Sequence, residues 1–195
     1  MITFQKIRWK NFLSTGNQFT EINFQEHNTN LIIGTNGAGK STLLDALTFV
    51  LFNKPFRKIN KPQLVNAQNE RECLVEIEFE INSRQYVVRR GIKPTVFDIV
   101  VNGTELHREA DDRAMQRVLE DNILKVNYKS FTQIVILGSS TFVPFMQLTS
   151  ANRREVIEDL LDIRIFSLMN NILKDKIRTQ KEQVKSLDLK KETLK

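Results

Sequence analysis

LIIGTNGAGKSTLLDALTFVL, residues Leu31 to Leu51, is the stretch on which the fold turns. The apolar run Leu31, Ile32 and Ile33 leads into a glycine-rich turn. From Thr42 onward, Leu43, Leu44, Leu47 and Leu51 recur at helical spacing, so the stretch reads as strand, loop and helix. Within it, Gly34, Gly39, Lys40 and Ser41 satisfy G-x-x-x-x-G-K-[ST], the Walker A phosphate loop. Anion chemistry explains the spacing: glycines let the backbone fold into a concave nest, with the amides of Gly37 to Thr42 pointing inward and the positive end of a helix dipole behind them. Gly34, Thr35, Asn36, Gly37, Ala38, Gly39, Lys40, Ser41 and Thr42 are therefore expected to bind the triphosphate of a nucleotide. Lys40 lies against the outer phosphates and acts in catalysis, and the Ser41 hydroxyl takes one position on a bridging Mg2+. The pattern implies a nucleotide but not a reaction, since many activities use this cradle.

A chain of 195 residues with 41% apolar content suffices for one domain with a sizeable core. No apolar run is long enough to cross a bilayer, and the start, MITFQKIRWK, lacks a signal-peptide pattern. The expectation is a cytoplasmic protein with no membrane partner. The one cysteine, Cys73, falls on the apolar face of an expected strand and is read as a buried, inert thiol. Of the net charge of +6, most lies in the tail: Lys174 to Lys195 holds 8 Lys/Arg against 4 Asp/Glu, leaving 21 against 19 before it. Bulk charge is thus a weak argument for nucleic acid.

Residues Thr3 to Trp9 and Phe19 to Phe24 alternate as short strands around the turn KNFLSTG, Lys10 to Gly16. After the Walker A helix, NKPFRKINKPQLVN, Asn53 to Asn66, reads as a loop. Its basic residues Arg57, Lys58 and Lys61 are candidates for contact with a DNA backbone. Cys73, Val75, Ile77, Phe79 and Ile81 alternate with Glu72, Glu76, Glu78 and Glu80, a strand with one side buried and a wet acidic side. Asn82-Ser83 turns it back into Gln85 to Arg90, and Thr95 to Val101 ends at the hairpin dipeptide Asn102-Gly103. The expected class is α/β, a phosphate-loop core bearing an antiparallel meander. Helical spacing returns from Glu109 to Leu124, and Phe131 with Ile134 to Leu137 reads as a buried strand.

The last helix is expected to start at Ser150 or Asn152, where Asn152 and Glu155 have capping-box spacing, and to run without Gly or Pro to Lys195. Heptads from Ile163 place Phe166, Leu173, Ile177, Val184, Leu187 and Leu194 on one seam, interrupted by Asn170, Gln180 and Lys191. This predicts one strand of a coiled coil leaving the globular body. The expected division is a nucleotide-binding lobe over 1–150 and a coiled-coil helix over 151–195. Hydrolysis also needs an acid for magnesium and an orienter for water. No apolar run ending in Asp-Glu supplies them, and Phe97-Asp98 is the nearest approach.

KNFLS at Lys10 to Ser14, the Walker A segment with its continuation LLDALTFVLFNKPFR, FTQIVILG at Phe131 to Gly138, and FVPFMQLTSANRREVIEDLLDI at Phe142 to Ile163 occur in this order before the heptads. Together they resemble the N-terminal ATPase lobe of the SMC-like repair ATPases of the SbcC type, in particular the T4-like phage members. The resemblance implies a C-terminal lobe of the same polypeptide, joined through the coiled coil, that brings the Walker B acids and signature motif. It implies a homodimer of heads around two ATP molecules, a nuclease subunit near the coiled-coil base, and double-stranded DNA whose ends are processed for recombination and repair. An architectural SMC-type ATPase without a nuclease is the alternative. Relatives read KNFRS where this chain has Leu13. They place a magnesium-contacting glutamine where Ser139 stands, so Ser139 or a water is expected in that role, with Gln133 a weaker candidate.

Overall fold

The computed structural model describes residues 2–27, 29–106, 111–137, 143–161 and 163–193. The alternating stretches form strands β1 (Ile2–Lys10), β2 (Thr20–Asn23), β3 (Cys73–Ile81), β4 (Arg84–Ile92), β5 (Val96–Val101) and β6 (Thr104–Glu105). They make one sheet ordered β2-β1-β3-β4-β5-β6, each neighbouring pair antiparallel. In β1, Phe4 and Ile7 differ in parity, yet both pack against the core. A register shift between Phe4 and Lys6 lets Phe4 face Phe79 while Ile7 faces Ile77. The hairpins close as expected: Asn82 and Ser83 have φ of 48° and 63°, and Asn102 and Gly103 have 50° and 81°, the paired left-handed geometry that suits strand twist.

The acidic row of β3 stays part-exposed at Glu78 and Glu80 but is not wet at Glu76. Pairing register aligns Glu21, Arg8, Glu76, Arg89 and Asp98 across five strands with alternating sign. At the centre Glu76 is only 4% exposed and is held by both Arg8 and Arg89, while Lys6 pairs with Glu78 at 3.3 Å. The period-2 pattern correctly separates the faces, but it does not reveal that the neighbouring strands carry matching cations.

On the other face lies α1 (Thr42–Phe52), buried nearly all round, with Ala46, Phe49, Val50 and Leu51 inaccessible. Its closing carbonyls meet a cation from the sheet. Arg90 Nε donates to the Val50 carbonyl (3.1 Å), Gln116 Nε2 donates to that of Leu51 (2.9 Å), and the guanidinium lies 3.7 Å from the centre of the Phe97 ring. Burial pushes the Arg90 guanidinium down to about 9, so it stays charged at neutral pH and complements the negative end of the helix. Cys73 lies beneath, 1% exposed, its thiol pushed up to about 12 by burial. Native protein in mildly alkaline buffer should therefore leave Cys73 unmodified by a thiol reagent, with full reaction on adding denaturant. Rapid native labelling would contradict the packing.

Helix α2 (Asp112–Arg117) starts where Asp111 accepts from the Ala114 amide and continues as a π-helical turn, Val118–Leu124. The expected single helix thus changes pitch, and Glu109 lies outside the described residues. A larger correction concerns Phe131–Leu137. Instead of a strand, α3 (Tyr128–Ile134) forms, capped by Asn127, whose side chain accepts from the Ser130 amide. Short apolar runs do not distinguish the two states by themselves. Here Phe131 packs with Phe52 at 5.0 Å and Phe4 at 6.2 Å, and the Tyr128 hydroxyl donates to the Pro55 carbonyl (3.0 Å).

The chain separates into two compact units, Met1–Pro144 and Phe145–Lys195. In the second, α4 (Ser150–Leu160) begins at Ser150, but the cap is Thr149, whose hydroxyl accepts from the Asn152 amide, and not Asn152. The helix does not run on to the end. It stops after Leu160, and α5 (Arg164–Thr193) restarts. Glu158 and Asp159 place negative charge at a helix C-terminus with no basic residue in the last turn, an unfavourable dipole arrangement. The Ile163 amide donates to the Glu158 carbonyl, and the Glu158 carboxylate accepts from Ser167, bridging the break. Along α5 the seam residues Phe166, Leu173, Ile177, Val184 and Leu187 are exposed. No described helix is long and apolar enough to cross a membrane.

Candidate nucleotide site

Gly37 and Gly39 take φ of 89° and 90°, which side chains rarely adopt, and turn the loop into its concave form. The Ala38 amide donates to the Thr35 carbonyl (3.2 Å) and the Thr42 amide to that of Gly39 (2.9 Å). Lys40 folds over the loop, its Nζ donating to the carbonyls of Gly34 (2.6 Å) and Thr35 (2.8 Å). Ser41 is the N-cap of α1 and makes no side-chain cap hydrogen bond, so its hydroxyl is available as a hard oxygen ligand for Mg2+.

The strand expected ahead of this loop does not form. Leu31, Ile32 and Ile33 are 82%, 44% and 82% exposed and belong to no described strand. A strand depends on its ladder, and no described strand runs alongside to provide one.

The nest opens into a cleft of about 580 Å³ whose other walls come from two loops. The first is KNFLSTG. Asn11 and Leu13 adopt positive φ of 50° and 53°, held by Asn66, whose Nδ2 donates to the carbonyls of Leu13 (3.0 Å) and Thr15 (3.1 Å), and by the Leu13 amide donating to the Leu64 carbonyl (2.7 Å). Leu13 and Ser14 face the cleft as a result. The second loop follows α1 and is anchored by Asp45. That carboxylate, inaccessible in the first turn of α1, accepts from the Arg57 amide (2.9 Å) and from Arg57 Nε (2.7 Å). The anchor brings Arg57 to the cleft wall beside the phosphate loop.

The basic trio therefore divides. Arg57 is committed to Asp45, and Lys58 is exposed. Lys61 lies near Arg90, its ammonium pushed below the usual lysine range by burial and then by that guanidinium, with Asp112 opposing. Of the two magnesium candidates beyond Ser41, Ser139 lies outside the described residues. Gln133 sits in α3, its Oε1 buried with no hydrogen-bond partner among the described residues, and it does not line the cleft. Sequence reasoning missed Asp45 and Asn66. A lone carboxylate inside LLDALTFV, a segment otherwise apolar, was an available signal for the first; Asn66 in a polar loop offered none.

A family described as AAA domain matches residues 6–195. Exonuclease subunit 2 of Escherichia phage RB69 is 40% identical over 187 residues, which is 96% of this chain and 33% of that protein. The DNA double-strand break repair Rad50 ATPase of Thermoplasma volcanium is 28% identical over 196 residues, 97% of this chain and 21% of that protein. The chain thus spans a third or less of these relatives' length. Among solved structures, the Pyrococcus furiosus Smc head domain with an extended coiled coil, bound to the C-terminal domain of ScpA, superposes with a TM-score of 0.64 at 22% identity. The match covers 97% of this chain and 49% of that one. That likeness shows that the chain shares the fold of part of that head.

Proposed function

We propose, from the premise that this chain belongs to the AAA domain family as an N-terminal lobe of the SbcC type, that it is the ATP-binding half of an ATPase that works with a nuclease on DNA ends. The observation that carries the reading is a formed phosphate nest beside an exposed apolar run. Leu31 to Ile33 can become a strand only when other strands pair with them, and the C-terminal lobe of the same polypeptide is the proposed source. That lobe also brings the carboxylates, since no acidic side chain lines the cleft among the described residues. Gly34 to Thr42 hold the phosphates of ATP, Lys40 offsets their charge, and Ser41 holds Mg2+, which polarises the transferred phosphoryl group. Two such heads dimerise around two nucleotides.

Residues 1–150 serve as the lobe and 151–195 as the start of the coiled coil. The first turns of α5 expose Ile165, Leu168, Met169 and Ile172 as well as the seam residues, more apolar surface than a single coiled-coil partner covers. We assign the excess to the nuclease subunit near the coil base. The setting is cytoplasmic.

Lys58 and Lys61 are the proposed contacts to double-stranded DNA. Charge reversal at both, Lys58→Glu with Lys61→Glu, should weaken DNA binding by the assembled complex. It should also lower the salt dependence by about one unit of slope per lost phosphate contact, with ATP affinity unchanged. Equal DNA affinity in titrations at matched salt would remove this loop from the interface.

A further inference from the structure

The cleft is larger and more apolar than a phosphate site requires. Beyond the nest, Ser14 and the Asp45-bound Arg57, its wall is the apolar set Leu13, Ile59, Val65 and Ala67, side chains with nothing to offer an anion. One amide stands among them. Gln63 lies on the turn Lys61–Leu64, and its Oε1 accepts from the Asn60 amide (3.1 Å) while its own amide donates to the Asn60 carbonyl (2.9 Å). The first bond spends the oxygen end of the carboxamide, while the second is made by the Gln63 backbone N–H and only closes the turn. The oxygen is engaged locally, and Nε2 makes no hydrogen bond among the described residues, so Gln63 presents a donor to the cleft.

We propose that Gln63 is the nucleoside contact of this cleft: Nε2 donates to an acceptor atom of the base, whose faces lie against the apolar wall of Leu13, Ile59 and Val65. The inference rests on the nucleotide reading of the phosphate loop. The wall is preformed, because Leu13 is tied to Leu64 through the backbone and to Asn66 through a side chain, so binding a base costs little ordering there. A donor alone also sets the selectivity. Adenine and guanine both carry ring-nitrogen acceptors, so the contact favours a nucleoside over bare polyphosphate without separating the two purines.

The test is competition binding to this chain with ATP, GTP and inorganic tripolyphosphate in magnesium buffer, comparing the wild type with Gln63→Glu. Glutamate keeps an oxygen for the Asn60 amide but removes the donor, so the turn is retained. In the wild type, ATP and GTP should bind within a few-fold of each other and more tightly than tripolyphosphate. In the variant, the preference for ATP over tripolyphosphate should fall by roughly threefold to tenfold, the size of one hydrogen bond. Taking a ratio cancels the repulsion that the new charge exerts on both ligands. An unchanged ratio overturns the assignment of Gln63 and leaves the phosphate site standing. Absence of binding by any of the three to the wild type overturns the nucleotide reading itself.

Discussion

Lys40→Ala should reduce ATP turnover by the assembled head about 100-fold or more, the scale of losing one charged group aimed at developing phosphoryl charge. Folding should be unaffected. Among the described residues the Lys40 ammonium hydrogen-bonds only the Gly34 and Thr35 carbonyls, in an exposed part of the loop, so truncation leaves no buried group unsatisfied there. Steady-state phosphate release, with circular dichroism and thermal unfolding as controls, checks both halves. Turnover within about fivefold of the wild type would mean that Lys40 is not facing the transferred group.

The second large effect concerns stability. Arg57→Met should destabilise the chain by about 2–3 kcal/mol, less than the roughly 3–5 kcal/mol that breaking a fully buried ion pair costs, because the guanidinium is partly solvated. Asp45 has no accessible surface, whereas Arg57 is 45% exposed, so the cost lies mainly in stranding the carboxylate. Adding Asp45→Asn to Arg57→Met should then recover part of the loss, since a neutral amide oxygen still accepts from the Arg57-position backbone amide. Urea unfolding of both singles and the double measures this coupling. Strict additivity would show that the pair does not act as an anchor.

Much of this architecture was legible in the residues. Walker A marked the loop and the start of α1, Asn102-Gly103 marked a hairpin, and the alternation of β3 marked its buried face. The illegible parts were those decided by partners distant in sequence. Leu31–Ile33 has the composition of a buried strand but no strand beside it among the described residues, and Phe131–Leu137 has strand composition but an Asn127 cap and aromatic contacts that favour a helix. Glu76 looked solvated because its cations, Arg8 and Arg89, lie on other strands. At the site, local spacing defined the phosphate nest, whereas the Asp45–Arg57 anchor and the Asn66 clamp join segments whose proximity no local pattern announces.

The central claim, a nucleotide site that is half of a catalytic centre, is tested most directly by magnesium-dependent ATP turnover. The chain is assayed alone and then with the C-terminal lobe of the same polypeptide added. The expected result is turnover only after mixing, lost again in Lys40→Ala. Strong, Lys40-dependent turnover by the chain alone would contradict it, because the acid and the water-orienting group would then lie within these 195 residues.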